Sequence, residues 1–334
     1  MYGLRASING HSADVRCMIP CNYPMNGGFV TGGRDNDAKL WFPAATGTGY
    51  DMLTHFRGST HWIASLAYMD PDADNMNGLL FVGSFDSKIR VYDPLKTEPQ
   101  ATYSGHGQTV CSLAINNKTQ TLVSGSWDKS VKIWRGAWGS LEKKNTKSIA
   151  EGIHQGSVLA VQLLEEDDIL TACADKLIRL FNKEGTLMKK FEGHTDVVQC
   201  LVLLQNQDEF LSAGNDMIIR KWNIESGQCT QQFTGHEAFI YSLAIMPRNK
   251  GFISSGEDRS LRVWSWDEEE PTETILQPAT SAWCCTALTM GDIAVGLSDA
   301  SARVFTYRDR QSSNLFGPYF TVHFLELDEI FSCP

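Results

Sequence analysis

One pattern of eleven residues occurs seven times along the chain and restricts the fold more than any other sequence feature. Two copies read TGGRDNDAKLW from Thr31 to Trp41 and SGSWDKSVKIW from Ser124 to Trp134. The aspartates that the seven copies share are Asp35, Asp86, Asp128, Asp175, Asp216, Asp258 and Asp299, so successive copies are 51, 42, 47, 41, 42 and 41 residues apart. A period of about 40–45 residues indicates repeated units of about four short strands.

A set of four polar side chains accompanies the pattern. The set consists of an upstream histidine, a serine or threonine four residues before the aspartate, the aspartate itself, and a tryptophan six residues after it. We expect these groups to form one hydrogen-bonded series in each unit. The set is complete in four units, as His11, Thr31, Asp35 and Trp41; His106, Ser124, Asp128 and Trp134; His194, Ser212, Asp216 and Trp222; and His236, Ser254, Asp258 and Trp264.

The other three units lack members of this set. The fourth unit has His154, Thr171 and Asp175, but Phe181 cannot donate a hydrogen bond. The second unit has Ser59, Val82, Asp86 and Tyr92 at the four positions, and the seventh retains only Asp299. Because a polar network depends on all of its partners, the second and seventh units are predicted to be the least stable.

The Gly-His pairs and the D-x-x-x-[KR]-[ILV]-W strings resemble the WD repeat, and the resemblance covers residues 2–307. It implies an all-β fold, a seven-bladed WD-repeat β-propeller. The segment LRASINGH (Leu4 to His11) has the form of the outer strands that precede later Gly-His pairs, and no further unit follows Tyr307. We therefore predict that the N-terminal strand joins the last blade and closes the ring, which removes exposed sheet edges. The predicted domains are a propeller at 1–307 and a C-terminal tail at 308–334.

Composition excludes several classes of protein. The chain of 334 residues is 42% apolar and carries a net charge of −10, which opposes a general nucleic-acid partner. Since no apolar run reaches the length of a membrane helix, no membrane partner is expected. Four of the nine cysteines, Cys17, Cys111, Cys200 and Cys285, lie inside apolar strand-like runs as free cysteines do. This pattern favours a reducing compartment, and hence the cytoplasm or also the nucleus. Since no C-x-x-C pair occurs, neither a disulfide framework nor a zinc site is indicated.

No motif for catalysis, a metal or a cofactor stands out. The sequence contains no G-x-S-x-G, Walker, H-E-x-x-H or EF-hand string. The combination of Ser, His and Asp resembles a hydrolase triad. A nucleophile is needed only once, however, whereas this set recurs in four units, so we interpret it as structural. The sequence predicts no enzyme, no metal and no cofactor.

The narrow face of the ring, where the aspartate turns and histidine loops emerge, is the predicted binding site. Three positions in each blade point there in propellers: the residue before the turn aspartate, and the two that flank the first apolar residue of the inner strand. In this chain they form an aromatic cluster with a charged rim, a composition typical of a protein-binding hot spot. The alternative is that some of these rings fill the central channel. The candidate residues are Asp14, Arg16, Arg34, Trp62, Phe85, Trp127, Phe239, Tyr241 and Glu257.

Several stretches outside the repeat consensus resemble the family of phospholipase A-2-activating protein and its ubiquitin-fusion-degradation orthologues. They include LRASINGHSADVR (Leu4 to Arg16), FRGSTHWIASLAY (Phe56 to Tyr68) and VGSFDSKIRVYDP (Val82 to Pro94). The resemblance implies a non-enzymatic adaptor in ubiquitin-dependent protein degradation, whose propeller face holds ubiquitin or ubiquitylated proteins. The candidate ubiquitin contacts that the resemblance implies are Asp14, Arg16, Trp62, Phe85, Trp127 and Tyr241.

The family resemblance also limits what can be expected. Family members continue into a second ubiquitin-binding domain and a helical domain that docks on the AAA segregase, valosin-containing protein. Residues 309–334 match neither domain, so the segregase is expected as a partner only of a form with such domains. The alternatives are a WD-repeat scaffold for another protein complex or peptide and, with less support, a phospholipase or hydrolase.

Overall fold

The computed structural model describes residues 1–47, 49–135, 138, 145–150 and 152–308. These residues form seven antiparallel sheets of four strands each, together with one short 3₁₀ turn at Pro247–Asn249. No helix in this part of the chain is long and apolar enough to cross a membrane. The predicted all-β, seven-bladed propeller is confirmed. The predicted tail lies almost wholly outside the described residues.

The first three blades follow one another along the chain. Blade one contains β2 (Val15–Cys21), β3 (Gly28–Gly33), β4 (Ala38–Pro43) and β5 (Tyr50–Phe56). Blade two contains β6 (Ile63–Met69), β7 (Leu79–Ser84), β8 (Lys88–Tyr92) and β9 (Ala101–Ser104). Blade three contains β10 (Val110–Asn116), β11 (Thr121–Ser126), β12 (Val131–Arg135) and β13 (Asn145–Ile149).

The next three blades have the same order of strands. Blade four contains β14 (Val158–Leu163), β15 (Ile169–Cys173), β16 (Ile178–Phe181) and β17 (Leu187–Phe191). Blade five contains β18 (Val198–Leu203), β19 (Glu209–Gly214), β20 (Ile219–Asn223) and β21 (Cys229–Phe233). Blade six contains β22 (Ile240–Ile245), β23 (Phe252–Gly256), β24 (Ser260–Trp264) and β25 (Glu273–Leu276).

Blade seven joins the two ends of the described chain. It contains β26 (Ala282–Ala287), β27 (Ile293–Leu297), β28 (Ser301–Tyr307) and, as its outer strand, β1 (Tyr2–Asn9). The pairing of β1 with β28 is antiparallel, from Tyr2 opposite Tyr307 to Asn9 opposite Ser301. The predicted closure of the ring by the N-terminal strand is therefore confirmed.

The apolar core is divided among the joints between neighbouring blades. Seven buried clusters each combine side chains of two adjacent blades. At the joint of blades seven and one, Ile8 from β1 belongs to the same cluster as Val304, Val15 and Trp41. Each blade therefore buries its two faces only when both of its neighbours are present.

The closing strand provides the first prediction. Replacing Ile8 with alanine should lower the free energy of unfolding by about 2–5 kcal/mol, because it leaves a cavity in the joint of blades seven and one. Chemical denaturation measures the change. Ser7→Ala is the matched control, since Ser7 is the exposed neighbour on the same strand. Equal stability of both variants would contradict the closure.

Candidate protein-binding face

The aspartate shared by the seven repeats caps its own turn. In every blade, its side-chain oxygen accepts a hydrogen bond from the backbone N–H two residues later, over 2.9–3.4 Å. Asp128, for example, accepts from the N–H of Ser130 at 2.9 Å. This local Asx turn needs no partner from elsewhere in the blade, which explains why the aspartate occurs even in blade seven.

The four complete polar sets form as predicted. In blade three, the Trp134 indole donates to the Ser124 hydroxyl at 2.8 Å, and that hydroxyl lies 2.6 Å from Nε2 of His106. Nδ1 of His106 lies 2.9 Å from the Asp128 carboxylate. The hydroxyl accepts from the indole and can donate to Nε2, which leaves the Nδ1 proton for the carboxylate. The equivalent distances in blades one, five and six are 2.6–2.9 Å.

The ionisation of these groups follows from burial and hydrogen bonding. Burial lowers the pKa of His106, His194 and His236 despite the neighbouring carboxylates, so the neutral imidazole is favoured. Burial alone would raise the pKa of Asp128, but hydrogen bonds from Ser130 and from the Gly107 N–H bring it down to about 2. The set therefore joins a neutral histidine to an ionised aspartate.

In blade two, which lacks the histidine, an arginine four residues after the aspartate holds the turn, as one also does in blades four, five and six. The Arg90 guanidinium donates to both oxygens of Asp86, at 3.2 and 2.6 Å, and Thr60 donates to the same carboxylate at 2.9 Å. The Tyr92 hydroxyl donates to the backbone carbonyl of Arg57 at 2.7 Å. Asp86 is therefore paired although the histidine of the set is missing, because the arginine of the D-x-x-x-[KR] string holds it. The lower stability of blade two stays a prediction.

Blades four and seven are connected less completely. In blade four, Nε2 of His154 lies 2.9 Å from the Thr171 hydroxyl, whereas Arg179 occupies both oxygens of Asp175. In blade seven, Asp299 bonds to Ser301 within its own turn, and Arg303 approaches it only to 3.7 Å. The premise of missing partners therefore holds for blade seven.

Hydrogen exchange can compare the local stability of blade two with that of blade seven. We expect the amides of β26, β27 and β28 to exchange faster than those of β6, β7 and β8, because Arg90 hydrogen-bonds the turn aspartate of blade two, whereas Arg303 approaches that of blade seven only to 3.7 Å. Mass-spectrometric exchange at neutral pH measures both. Blade three, with its complete set, is the internal reference for slow exchange. Slower exchange in blade seven than in blade two would show that the polar network does not set local stability.

His154 provides a prediction about pH. Burial, and secondly Arg179, lower the pKa of His154 to about 4, while an exposed histidine in the unfolded chain titrates near 6.5. Between these values the unfolded chain binds a proton that the folded chain does not. The free energy of unfolding should therefore fall as pH decreases from about 6.5 to about 4.

Denaturation at several pH values tests this contribution. In His154→Gln the slope of stability against pH in this window should be shallower, by up to about 1.4 kcal/mol per pH unit for one proton. Gln155→Ala, at the exposed neighbour, should keep the wild-type slope. An unchanged slope in His154→Gln would exclude His154 as the group responsible.

Two backbone features bring the predicted face positions together. The residue before each turn aspartate donates its N–H to the carbonyl of the residue before the inner strand, as Phe85 does to Trp62 at 2.9 Å. The same bond occurs in all seven blades. In addition, every inner strand has an irregular register at its second residue, between Val15 and Cys17 in blade one. A bulge re-aims the side chain at that position.

The first part of the face, called the blade-two cluster here, consists of Arg34, Trp62, Phe85 and Trp127. The ring centroids of Phe85 lie 5.3 Å from Trp62 and 5.4 Å from Trp127. The Arg34 guanidinium lies over Trp62, 4.2 Å from the ring centroid. The three rings remain 38–41% exposed, which is unusual for aromatic side chains of this size.

The second part, called the blade-seven cluster, consists of Arg16, Tyr241 and Trp283. Arg16 lies over the Trp283 ring at 3.6 Å, and the centroids of Trp283 and Tyr241 are 4.6 Å apart. Burial, and then the neighbouring Glu257 carboxylate, raise the pKa of Tyr241 to about 12. Phe239 is exposed next to this cluster, and its carbonyl accepts from the Glu257 N–H at 2.8 Å.

Asp14 connects the two clusters. Its carboxylate lies 3.3 Å from the Arg34 guanidinium, and it stands two residues before Arg16 on the same strand edge. The structure thus brings together Asp14, Arg16, Arg34, Trp62, Phe85 and Trp127. Tyr241 and Glu257 lie on the other side of Arg16, beyond Trp283, with Phe239 next to them. Their role in binding stays a prediction.

Sequence reasoning missed Trp283. This residue follows Ala282, the first residue of the inner strand β26, and so occupies the same position as Arg16 and Tyr241 in their blades. The position could have been found by extending the alignment of inner strands to the seventh repeat. The weak repeat signal there, with Asp299 as its only polar member, explains the omission. His61, whose ring lies 6.1 Å from Phe85, was missed as well.

No group of three or more His, Cys, Asp or Glu side chains suited to a metal ion occurs within the described ranges. The two clusters and Asp14 instead provide aromatic rings, guanidinium groups and single carboxylates. Such a surface can bury apolar groups of a partner and pair with its charged groups.

The family model for "WD domain, G-beta repeat" matches residues 3–41, 50–93, 97–135, 185–223 and 227–265, more than half of the chain. The chain belongs to the WD40-repeat family. The repeats outside these matches are those of blades four and seven, whose polar sets are incomplete. In both blades the backbone nevertheless forms the same four-stranded sheet.

Proteins of the ubiquitin-fusion-degradation group are similar to this chain. The "Ubiquitin fusion degradation protein 3 homolog" of Caenorhabditis elegans is 36% identical over 67% of this chain and 25% of its own length. The "Phospholipase A-2-activating protein" of Xenopus laevis is 39% identical over 50% of this chain and 20% of its own length. The chain thus spans a quarter or less of these two relatives.

A solved structure supports the same grouping. The crystal structure of the WD40 β-propeller domain of Doa1 is 30% identical, with a TM-score of 0.77 over 92% of this chain and 98% of that domain. The sequence resemblance to the phospholipase A-2-activating protein family is therefore confirmed.

Proposed function

We propose that this protein is a non-enzymatic adaptor that binds ubiquitin or ubiquitylated proteins through the face formed by the blade-two and blade-seven clusters. The observation that carries the proposal is the contact series Trp62, Phe85 and Trp127, three aromatic rings that remain exposed on one face. Exposed aromatic groups of this kind are the usual centres of protein interfaces. The relatives named for ubiquitin fusion degradation support ubiquitin as the partner.

The geometry of the polar sets argues against a hydrolase. A nucleophilic serine must reach the substrate, but Thr31, Ser124, Ser212 and Ser254 are fully buried. Each of these hydroxyls also accepts a hydrogen bond from a tryptophan indole. The four sets therefore hold the strands and turns of a single blade together and do not expose a nucleophile.

We place the adaptor in ubiquitin-dependent protein degradation, in the cytoplasm or also the nucleus. Cooperation with the AAA segregase would need domains other than the propeller described here. The second candidate function is a WD-repeat scaffold that uses the same face for a different protein. The two candidates predict the same mutational sensitivity of the face, but only the first predicts ubiquitin as the ligand.

Ubiquitin titration of the isotope-labelled protein distinguishes the candidates. The wild type should show saturable chemical-shift changes, and Trp127→Ala should weaken binding at least tenfold, about 1.4 kcal/mol, because Trp127 ends the exposed aromatic series. Met217→Ala is the matched control. Met217 is 39% exposed in the turn of blade five, outside both clusters.

Each outcome has one meaning. Weak binding in Trp127→Ala together with unchanged binding in Met217→Ala supports the proposed face. The absence of shifts in the wild type at millimolar protein would reject ubiquitin as the ligand and favour the scaffold. Equal weakening in both variants would reject the two clusters as the binding surface.

A further inference from the structure

The two arginines of the binding face are incompletely paired. In the described part of the chain, Arg16 forms no hydrogen bond or ion pair, and its contact is the Trp283 ring at 3.6 Å. Arg34 donates to Asp14 through Nη1 at 3.3 Å, while its buried Nε has no partner among the described residues. Since each guanidinium carries five N–H donors, most of this donor capacity faces no protein acceptor.

Both arginines are held in position by neighbouring groups. Arg34 stacks on Trp62 at 4.2 Å, and its backbone N–H donates to the carbonyl of Asp14 at 2.9 Å. Arg16 stacks on Trp283 and lies two residues after Asp14, at the bulge of the same strand. The stacked planes fix the guanidiniums before any ligand arrives, so less side-chain entropy is lost on binding.

Two carboxylates lie near this pair of arginines, and among the described residues only one of them bonds to a guanidinium. Asp14 is the carboxylate bonded to Arg34, and Glu257 lies beside Tyr241 on the far side of Arg16. Burial, and secondly the charge of Arg34, lower the pKa of Arg16, which indicates that the two cations repel each other. In a chain with a net charge of −10, these are two close cations of which, within the described ranges, only Arg34 is bonded to a carboxylate, so Arg16 is free to bind one from a partner.

We propose that Arg16 and Arg34 form a carboxylate-binding site between the two aromatic clusters. Guanidinium groups bind carboxylates through paired, charge-assisted hydrogen bonds, which suits this donor arrangement. The occupant is a carboxylate of the protein that docks on the face, with apolar groups on both sides of it. The inference rests on the proposed function for the identity of that protein, but the site itself can be tested without it.

Titration with small carboxylates tests the site directly. One probe is an acetylated and amidated tripeptide with a central aspartate between two leucines. The second has asparagine in place of the aspartate and a free terminal carboxylate, and the third has neither carboxylate. The readout is the indole N–H resonance of Trp283, which lies against Arg16 and can be assigned with Trp283→Phe. Sodium chloride at equal ionic strength controls for screening.

The first two probes differ only in where the carboxylate comes from. Saturable shifts with either of them, but not with the third, support the site and identify a side chain or a chain end as the source. Arg16→Gln and Arg34→Gln should each weaken the response about tenfold. Arg248→Gln, which removes an exposed arginine from the turn between β22 and β23, should leave it unchanged. Equal responses to all three probes, or no response, would overturn the proposal.

Ubiquitin titrations of the same variants separate this inference from the proposed function. Carboxylate binding without ubiquitin binding would leave the site intact and reject ubiquitin as its partner. Ubiquitin binding that neither arginine variant weakens would overturn the use of this site in docking, while the proposed function would stand. Weakening by Arg16→Gln and Arg34→Gln, with Arg248→Gln unaffected, supports both.

Discussion

The structure depends on the packing of each blade against its two neighbours. The apolar clusters lie between blades, so a single blade leaves both of its faces exposed. Hydrophobic burial therefore stabilises the ring only when it is complete. The pairing of β1 with β28 completes it, because this strand brings Ala6 and Ile8 into the joint between the last blade and the first. The sheet edges at the two ends of the repeat array are covered by the same contact.

Much of this architecture could be predicted from the sequence because it is repeated. Seven copies of one turn fix the number of blades, and the complete sets, such as His106 with Ser124 and Trp134, specify their own partners. The form of LRASINGH was sufficient to predict the closing strand. The hydrogen bonds around the aspartate turn of blade two could not be predicted by the same reasoning. There, Arg90 from the third strand donates to Asp86 without the histidine that accompanies the equivalent arginines of blades five and six. A search for complete sets does not reveal this pairing.

The binding face was predictable in its positions but not in its contacts. The alignment of repeats gave the places where side chains emerge, and Trp62, Phe85 and Trp127 are exposed there. Which residues touch one another depends on the direction of each side chain, and this direction is set by the local bulge. The stacking of Arg16 on Trp283, across the joint of the first and last blades, therefore required the structure. The division of the face into two clusters with arginines between them could not be inferred from spacing alone.

Every inner strand has a bulge at its second residue, so the pairing of the sheet does not depend on which side chain that residue carries. The residues on both sides of the bulge pair with the neighbouring strand, whereas the bulged residue itself has no partner in the register. The seven occupants range from alanine to tryptophan, namely Arg16, Ala64, Cys111, Leu159, Gln199, Tyr241 and Trp283. The seven positions thus differ freely in residue type, although neighbouring ones can interact, as Arg16 and Tyr241 both do with Trp283. Substitutions at these seven positions, by evolution or by design, can therefore change what the face binds while the propeller scaffold stays the same.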